Sequence, residues 1–216
     1  MPCEHFKNKI ELGADESAPI SIEVFPMKKE VCVLAEQINH LLQNKDRVIV
    51  AIDGNCTAGK TTLAGELEKL FDCNVFHMDD FFLRPEQRTQ ERYAQPGGNV
   101  DYERFRAEVI IPLKQGQPFS YRPFACRTFT LSDPVSVEPK RLSIIEGTYS
   151  LHPYFGDVFD LKVFLSVDPE LQVQRIYQRP QHVHERFFHA WIPMEKQYFE
   201  YFKIPSCCDF CLKLNG

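Results

Sequence analysis

Lys60 and Thr61 follow two glycines at a spacing suited to the binding of phosphate. The run Gly54-Asn55-Cys56-Thr57-Ala58-Gly59-Lys60-Thr61-Thr62 matches the pattern G-x-x-x-x-G-K-[ST] in full. Its glycines let backbone N–H groups converge on an anion without Cβ obstruction. A helix N-terminus adds unpaired donors and partial positive charge. Lys60 supplies a point charge for the outer phosphates, and the Thr61 hydroxyl is placed to hold Mg²⁺. Residues 54–62 are therefore read as the cradle of a nucleoside triphosphate.

Phosphoryl transfer also needs a group to orient the nucleophile and further charge to neutralise the phosphates. Asp79 and Asp80 follow Cys73–Met78, which reads as a short strand. One of them is placed to accept the proton of an attacking hydroxyl, with the other toward Mg²⁺-bound water, acceptor or solvent. A turn cap is the competing role for the pair. Glu146 ends the apolar run Leu142-Ser143-Ile144-Ile145, where an acid can touch Mg²⁺ through water. Arg175 and Arg179, at i and i+4, share one helical face, read as a lid aimed at the phosphates, with a solvated basic face as the competing role. Arg122 and Arg127 are further candidates for substrate contact.

These groups must be held by strands and helices in alternation. Val48-Ile49-Val50-Ala51-Ile52 predicts a buried strand ahead of the loop, and Leu63, Leu67, Leu70 and Phe71 a helix after it. An amphipathic helix is expected over 28–43, with Val31, Leu34, Ala35, Ile38, Leu41 and Leu42 on one face. Residues 83–99 predict a long polar surface loop. Asp101 opens a helix to about Leu113, and 116–139, with four prolines, short strands and turns. Strands are expected over 141–146, 161–167 and 209–214. Asp168-Pro169-Glu170 starts a helix that runs to about Arg179. Residues 180–186 predict a polar break, and Pro193 the first turn of a helix to Phe202. The alternation implies an α/β fold, a doubly wound, mostly parallel sheet flanked by helices, with a small lid at about 175–190. A single domain spans the chain, and 1–27 form an N-terminal arm without an assigned role.

The 216 residues suit one domain with a substantial core. A net charge of −5 offers no basic footprint for nucleic acid. No apolar run reaches membrane-spanning length, and the N-terminus lacks a signal-peptide core, so a cytoplasmic protein is expected. The eight cysteines are scattered. Cys208-x-x-Cys211 lacks the second pair that zinc would want, which favours structural thiols.

The order of phosphate loop, Asp-Asp-Phe-Phe, Ile-Ile-Glu-Gly and arginine-rich lid resembles the uridine kinase and phosphoribulokinase group of P-loop kinases. His77-Met78-Asp79-Asp80-Phe81-Phe82-Leu83-Arg84-Pro85-Glu86 is most similar to nicotinamide riboside kinases. Ile176-Tyr177-Gln178-Arg179-Pro180 and His189-Ala190-Trp191-Ile192-Pro193-Met194 are similar to the same family. The resemblance spans about 47–202. It implies ATP and Mg²⁺ as cofactors and transfer of the γ-phosphoryl group to a primary hydroxyl, often of a nucleoside. It implies Asp79 as base and Asp101 as a holder of ribose hydroxyls, a role that competes with helix capping. The stretch Tyr121-Arg122-Pro123-Phe124-Ala125-Cys126-Arg127 keeps the Tyr of the uridine kinase pyrimidine segment but has neither its Asp nor its His. A pantothenate-like alcohol or a sugar phosphate is the alternative acceptor, favoured if several of Arg84, Arg88, Arg92, Arg122 and Arg127 line the pocket. A nucleotide switch without acceptor is the alternative of another class, although no Asn-Lys-x-Asp guanine motif follows a later strand. Expected partners are the triphosphate and a small hydroxyl-bearing acceptor, and a homodimer is compatible.

Overall fold

The computed structural model describes residues 28–214, so the expected arm at 1–27 lies outside the described residues. Five strands make the central sheet: β1 (Val48–Gly54), β2 (Cys73–His77), β3 (Leu142–Glu146), β4 (Leu161–Val167) and β5 (Phe210–Leu214). Their order is β2-β3-β1-β4-β5, and every pairing is parallel. Parallel neighbours require crossovers, and helices fill both faces as the alternating sequence predicts. The strand order reverses at β1, which opens a crevice at the carboxyl ends of β1 and its neighbours.

Strand alternation divides the core. Val48, Val50 and Ile52 meet α1 (Lys28–Asn44) and α2 (Lys60–Leu70) through Leu34, Ile38, Leu63 and Leu67. Ile49 and Ala51 face a larger, aromatic-rich cluster on the other side. That cluster includes residues of α3 (102–115) and of α5 (184–202), while α4 (Pro169–Tyr177) crosses between β4 and α5. Leu70, expected on the inner face of α2, is its last residue and stands 43% exposed.

Two departures from the sequence reading share a cause. Pro193 does not open its helix: α5 begins at His184, and a π-turn over Phe187–Trp191 precedes the proline. In α3 a π-turn over Arg106–Ile110 likewise precedes Pro112. Proline has no N–H and crowds the preceding turn. In both helices the residue before the proline bonds back five positions, Ile192 to Phe187 and Ile111 to Arg106, and this wider turn absorbs the crowding.

The polar stretch 83–99 is more ordered than its composition predicts. It holds short helical turns at Pro85–Gln87 and Gln90–Tyr93. Arg92 fastens it, with a two-pronged contact to Glu103 at 2.6 and 2.7 Å, bonds to the Gly98 and Val100 carbonyls, and its guanidinium over the Tyr102 ring. Residues 116–139 form the expected short pairings, Phe119–Tyr121 with Val135–Val137 and Phe124–Ala125 with Thr130–Leu131.

Candidate active site

The loop between β1 and α2 bends where its sequence permits. Gly54 and Gly59 have positive φ of 143° and 90°, and a Cβ at Gly54 would sit 1.9 Å from the Leu165 carbonyl oxygen. Thr57 also takes a left-handed conformation, which α4 supports: Arg175 donates to the Thr57 carbonyl at 2.9 Å. Gln172 donates to the Cys56 carbonyl at 3.1 Å, and the Cys56 N–H donates to Glu195 of α5 at 3.0 Å. The loop is therefore braced from two later helices.

A cleft of about 880 Å³ opens beside it. Cys56, Thr57, Gly59, Lys60, Thr61 and Thr62 line one wall, and Asp79, Glu146, Arg175 and Arg179 the rest of the expected donor site. Gly54, Asn55 and Ala58 shape the loop without lining the cleft. Lys60 Nζ donates to the carbonyls of Gly54 and Asn55 at 2.8 and 2.7 Å and to the Thr148 hydroxyl at 3.1 Å. Arg179 lies beyond the end of α4 at Tyr177, and still reaches the cleft.

Pairing of β3 between β1 and β2 puts Glu146 beside Ile52 and His77. Its buried carboxylate accepts from the Thr61 hydroxyl at 3.0 Å and from His77 Nδ1 at 2.5 Å. That hydrogen bond raises the His77 pKa above its ordinary value, burial opposing. Asp79 sits in the short turn Met78–Phe81 that closes β2. It is open to the cleft yet crowded by protein elsewhere. Loss of solvent, then the charge of Glu146, raises its carboxyl above the usual range, with Lys60 pulling it back.

The acceptor-side candidates fall elsewhere. Asp80, half-buried, lines neither this cleft nor its neighbour. Asp101 is buried and caps α3, accepting from the Arg104 N–H at 3.1 Å, while its other oxygen lies 3.6 Å from Arg104 Nε and 3.7 Å from Arg84 Nε. Tyr121 packs in the core, stacked on Phe81 at 5.6 Å. Arg122 closes its own hairpin by donating to the Ser132 and Leu131 carbonyls, and Arg127 is exposed. None of these last four lines either cavity.

A smaller cavity of about 330 Å³ continues from the cleft, sharing Phe82, Asn99, Cys126, Arg186 and Trp191 with it. The C-terminal thiols lie apart from both. Cys208 donates to the Ile204 carbonyl, and Cys211 to that of Pro205.

Thr148, Arg186, Trp191 and Glu195 line the cleft and Asp53 lies buried beneath its loop, and the sequence reading gave none of them a role. Only Asp53 carried a signal, as a charge ending a fully apolar strand. Its fully buried carboxylate accepts from the Gly54, Tyr149 and Leu151 N–H groups and the Tyr198 hydroxyl, at 2.7 to 3.1 Å. Burial pushes its pKa up, opposed by these bonds and by Lys60. Tyr198→Phe removes one of four donors from a carboxylate with no access to water. Chemical denaturation is expected to show a loss of about 1–3 kcal/mol; unchanged stability would mean that Tyr198 does not support Asp53.

Thr61 and Glu146 offer hard oxygen donors, and the repulsion between Glu146 and nearby Asp79 is one that a divalent cation relieves. Among the described residues no three His, Cys, Asp or Glu side chains form a cage of their own. Mg²⁺ needs none, since it is held by one or two carboxylates together with water and phosphate oxygens. The residues fit that ion.

The parallel strand order, the phosphate loop and the acids at the ends of β2 and β3 are similar to those of P-loop kinases of uridine kinase-like type. Comparison with known proteins agrees. Uridine kinases of Staphylococcus aureus strains JH9 and Newman are 26% identical over 141 residues, covering 61% of this chain and 67% of theirs. In fold the chain is similar to a structure titled a possible uridine kinase from Bacillus stearothermophilus, with a TM-score of 0.65 and 22% identity over 86% of this chain and 98% of that one. No family model matches. Among the described residues no helix is long and apolar enough to cross a membrane.

Proposed function

We propose that this small-molecule kinase transfers the γ-phosphoryl group of ATP to a hydroxyl of a ribose-bearing acceptor of nucleoside type. The observation that carries the reading is the convergence of Lys60, Thr61, Asp79, Glu146, Arg175 and Arg179 on one cleft. The names of the Staphylococcus relatives support the acceptor class.

The loop N–H groups and the start of α2 take the phosphates, and Lys60 turns from the loop carbonyls to their outer oxygens. Thr61 and Glu146 would hold Mg²⁺, which when bound neutralises charge building on the phosphoryl oxygens. Arg175 and Arg179 add positive charge from the far wall. The acceptor enters through the smaller cavity with its hydroxyl toward Asp79. Asp79 takes the hydroxyl proton as the oxygen attacks the γ-phosphorus, whose bond to the bridging oxygen breaks so that ADP leaves. Its raised pKa suits a group that must be ionised at the start and protonated at the end. The segment 175–190, which carries Arg175, Arg179 and Arg186, is our candidate lid.

A coupled ADP-release assay over uridine, cytidine, nicotinamide riboside, pantothenate and sugar phosphates tests the proposal. ADP formed in proportion to one alcohol, with a matching phosphorylated product, is expected. ADP release that ignores every alcohol would favour a nucleotide switch instead.

A further inference from the structure

The smaller cavity joins aromatic and apolar side chains to positive charge. Phe82, Tyr93, Phe129, Trp191 and Met194 line it, together with Arg88 and Arg186, and neither Asp nor Glu does. The other arginines nearby are engaged: Arg84 pairs with Glu86, Arg92 with Glu103 and Arg104 with Glu108. No carboxylate pairs with Arg88 or Arg186 among the described residues. Each guanidinium is instead held over rings. Arg88 lies 5.0 Å from the Phe129 centroid and 5.6 Å from that of Phe124, with its Nε on the Leu83 carbonyl; Arg186 lies 5.8 Å from that of Trp191.

Cys126 marks where this cavity meets the reaction centre, because it lines both spaces. Burial pushes its thiol pKa up, Asp79 adds to the rise, and Arg88 and Arg186 oppose it. The thiol thus feels the catalytic carboxylate and both arginines. A molecule reaching from Asp79 past Cys126 comes to two arginines that form no ion pair with any carboxylate among the described residues.

We propose that the acceptor is an anionic alcohol, carrying a carboxylate or phosphate away from its reacting hydroxyl, and that Arg88 and Arg186 read that charge. This rests on the phosphoryl-transfer part of the kinase reading and revises its acceptor: a neutral nucleoside gives way to an anionic one such as orotidine, or to another anionic alcohol. A planar guanidinium pairs with either anion through two hydrogen bonds. Stacking on rings fixes its plane and lowers the cost of ordering it. A neutral acceptor leaves both charges without a partner, and a cationic one meets repulsion. Nicotinamide riboside, a cation, is accordingly a poor acceptor.

Matched pairs test the charge alone: orotidine against uridine, pantothenate against pantothenol, and ribose 5-phosphate against ribose, with nicotinamide riboside as the cation. Binding is measured by calorimetry on the full chain with Mg²⁺ and a non-hydrolysable ATP analogue. The anionic member of at least one pair is expected to bind about 10–100-fold tighter. The pair that shows it tells carboxylate from phosphate. Arg88→Gln and Arg186→Gln keep most of each side chain's packing and are each expected to remove about tenfold of that preference. Arg88→Lys, which keeps the charge, should retain part of it. Neutral members that bind as tightly in every pair would overturn the inference. So would failure of every anionic member to bind, or a preference that survives both glutamine variants. ADP release with the same compounds separates the two failures, since a kinase that prefers neutral acceptors still releases ADP.

Discussion

Asp79→Asn lowers the rate of acceptor phosphorylation by about 10²–10⁴-fold, the range for loss of a positioned general base, and leaves nucleotide binding in place. The amide matches the carboxylate in size, so the turn Met78–Phe81 and the cleft wall are preserved. It cannot take the hydroxyl proton. The pH profile carries a second signature. Because crowding and Glu146 raise the Asp79 pKa, wild-type activity should fall with decreasing pH from a point above the ordinary aspartate range. In the asparagine variant that acid limb should vanish from the residual activity. Near-normal transfer by Asp79→Asn, with collapse in Asp80→Asn, would move the base to Asp80.

Lys60→Ala is expected to cost about 10²–10³-fold in kcat, as removal of a single electrostatic stabiliser of the transition state does, and to raise the KM for ATP. The effect has two sources. The variant loses the charge that meets the outer phosphates. It also loses the countercharge that lowers the pKa of Asp53, Asp79 and Glu195. The base is then harder to ionise, so the acid limb of the residual activity should move to higher pH. Steady-state kinetics with a pH series checks both parts. A variant with unchanged kcat and an unmoved profile would remove Lys60 from the mechanism.

The placement of the proposed donor residues was legible in the sequence because its determinants are local. A loop of nine residues sets its own bends through its glycines, and a strand end announces its acid by the apolar run before it. Asp79, Glu146 and the loop therefore meet in one cleft as their spacing suggests. Residues that act across the fold left no such trace. Glu195 reaches the Cys56 N–H from a helix 139 residues away, and nothing in its neighbours marks it. Tyr121 to Arg127 drew notice by family likeness, but Tyr121 fills the core and Arg122 ties a hairpin. The arginines of the smaller cavity, Arg88 and Arg186, come from a loop and a helix start, and only tertiary packing brings them together. Pro193 misled for a physical reason: proline suits a first helical turn, and the widened turn that admits it within α5 has no clear sequence mark.

That widened turn sets the angular phase of α5. Arg186 and Glu195 are nine residues apart, and at about 100° per residue a regular helix would point them to opposite sides. The turn over Phe187–Trp191 takes up one extra residue and leaves them about 80° apart. One helix can therefore brace the phosphate loop with Glu195 and present Arg186 to the space beyond it. In the acceptor reading proposed above, selection is thus geared to helix rotation as well as to side-chain identity. Regularising that turn, with every side chain kept, would swing Arg186 out of the cavity.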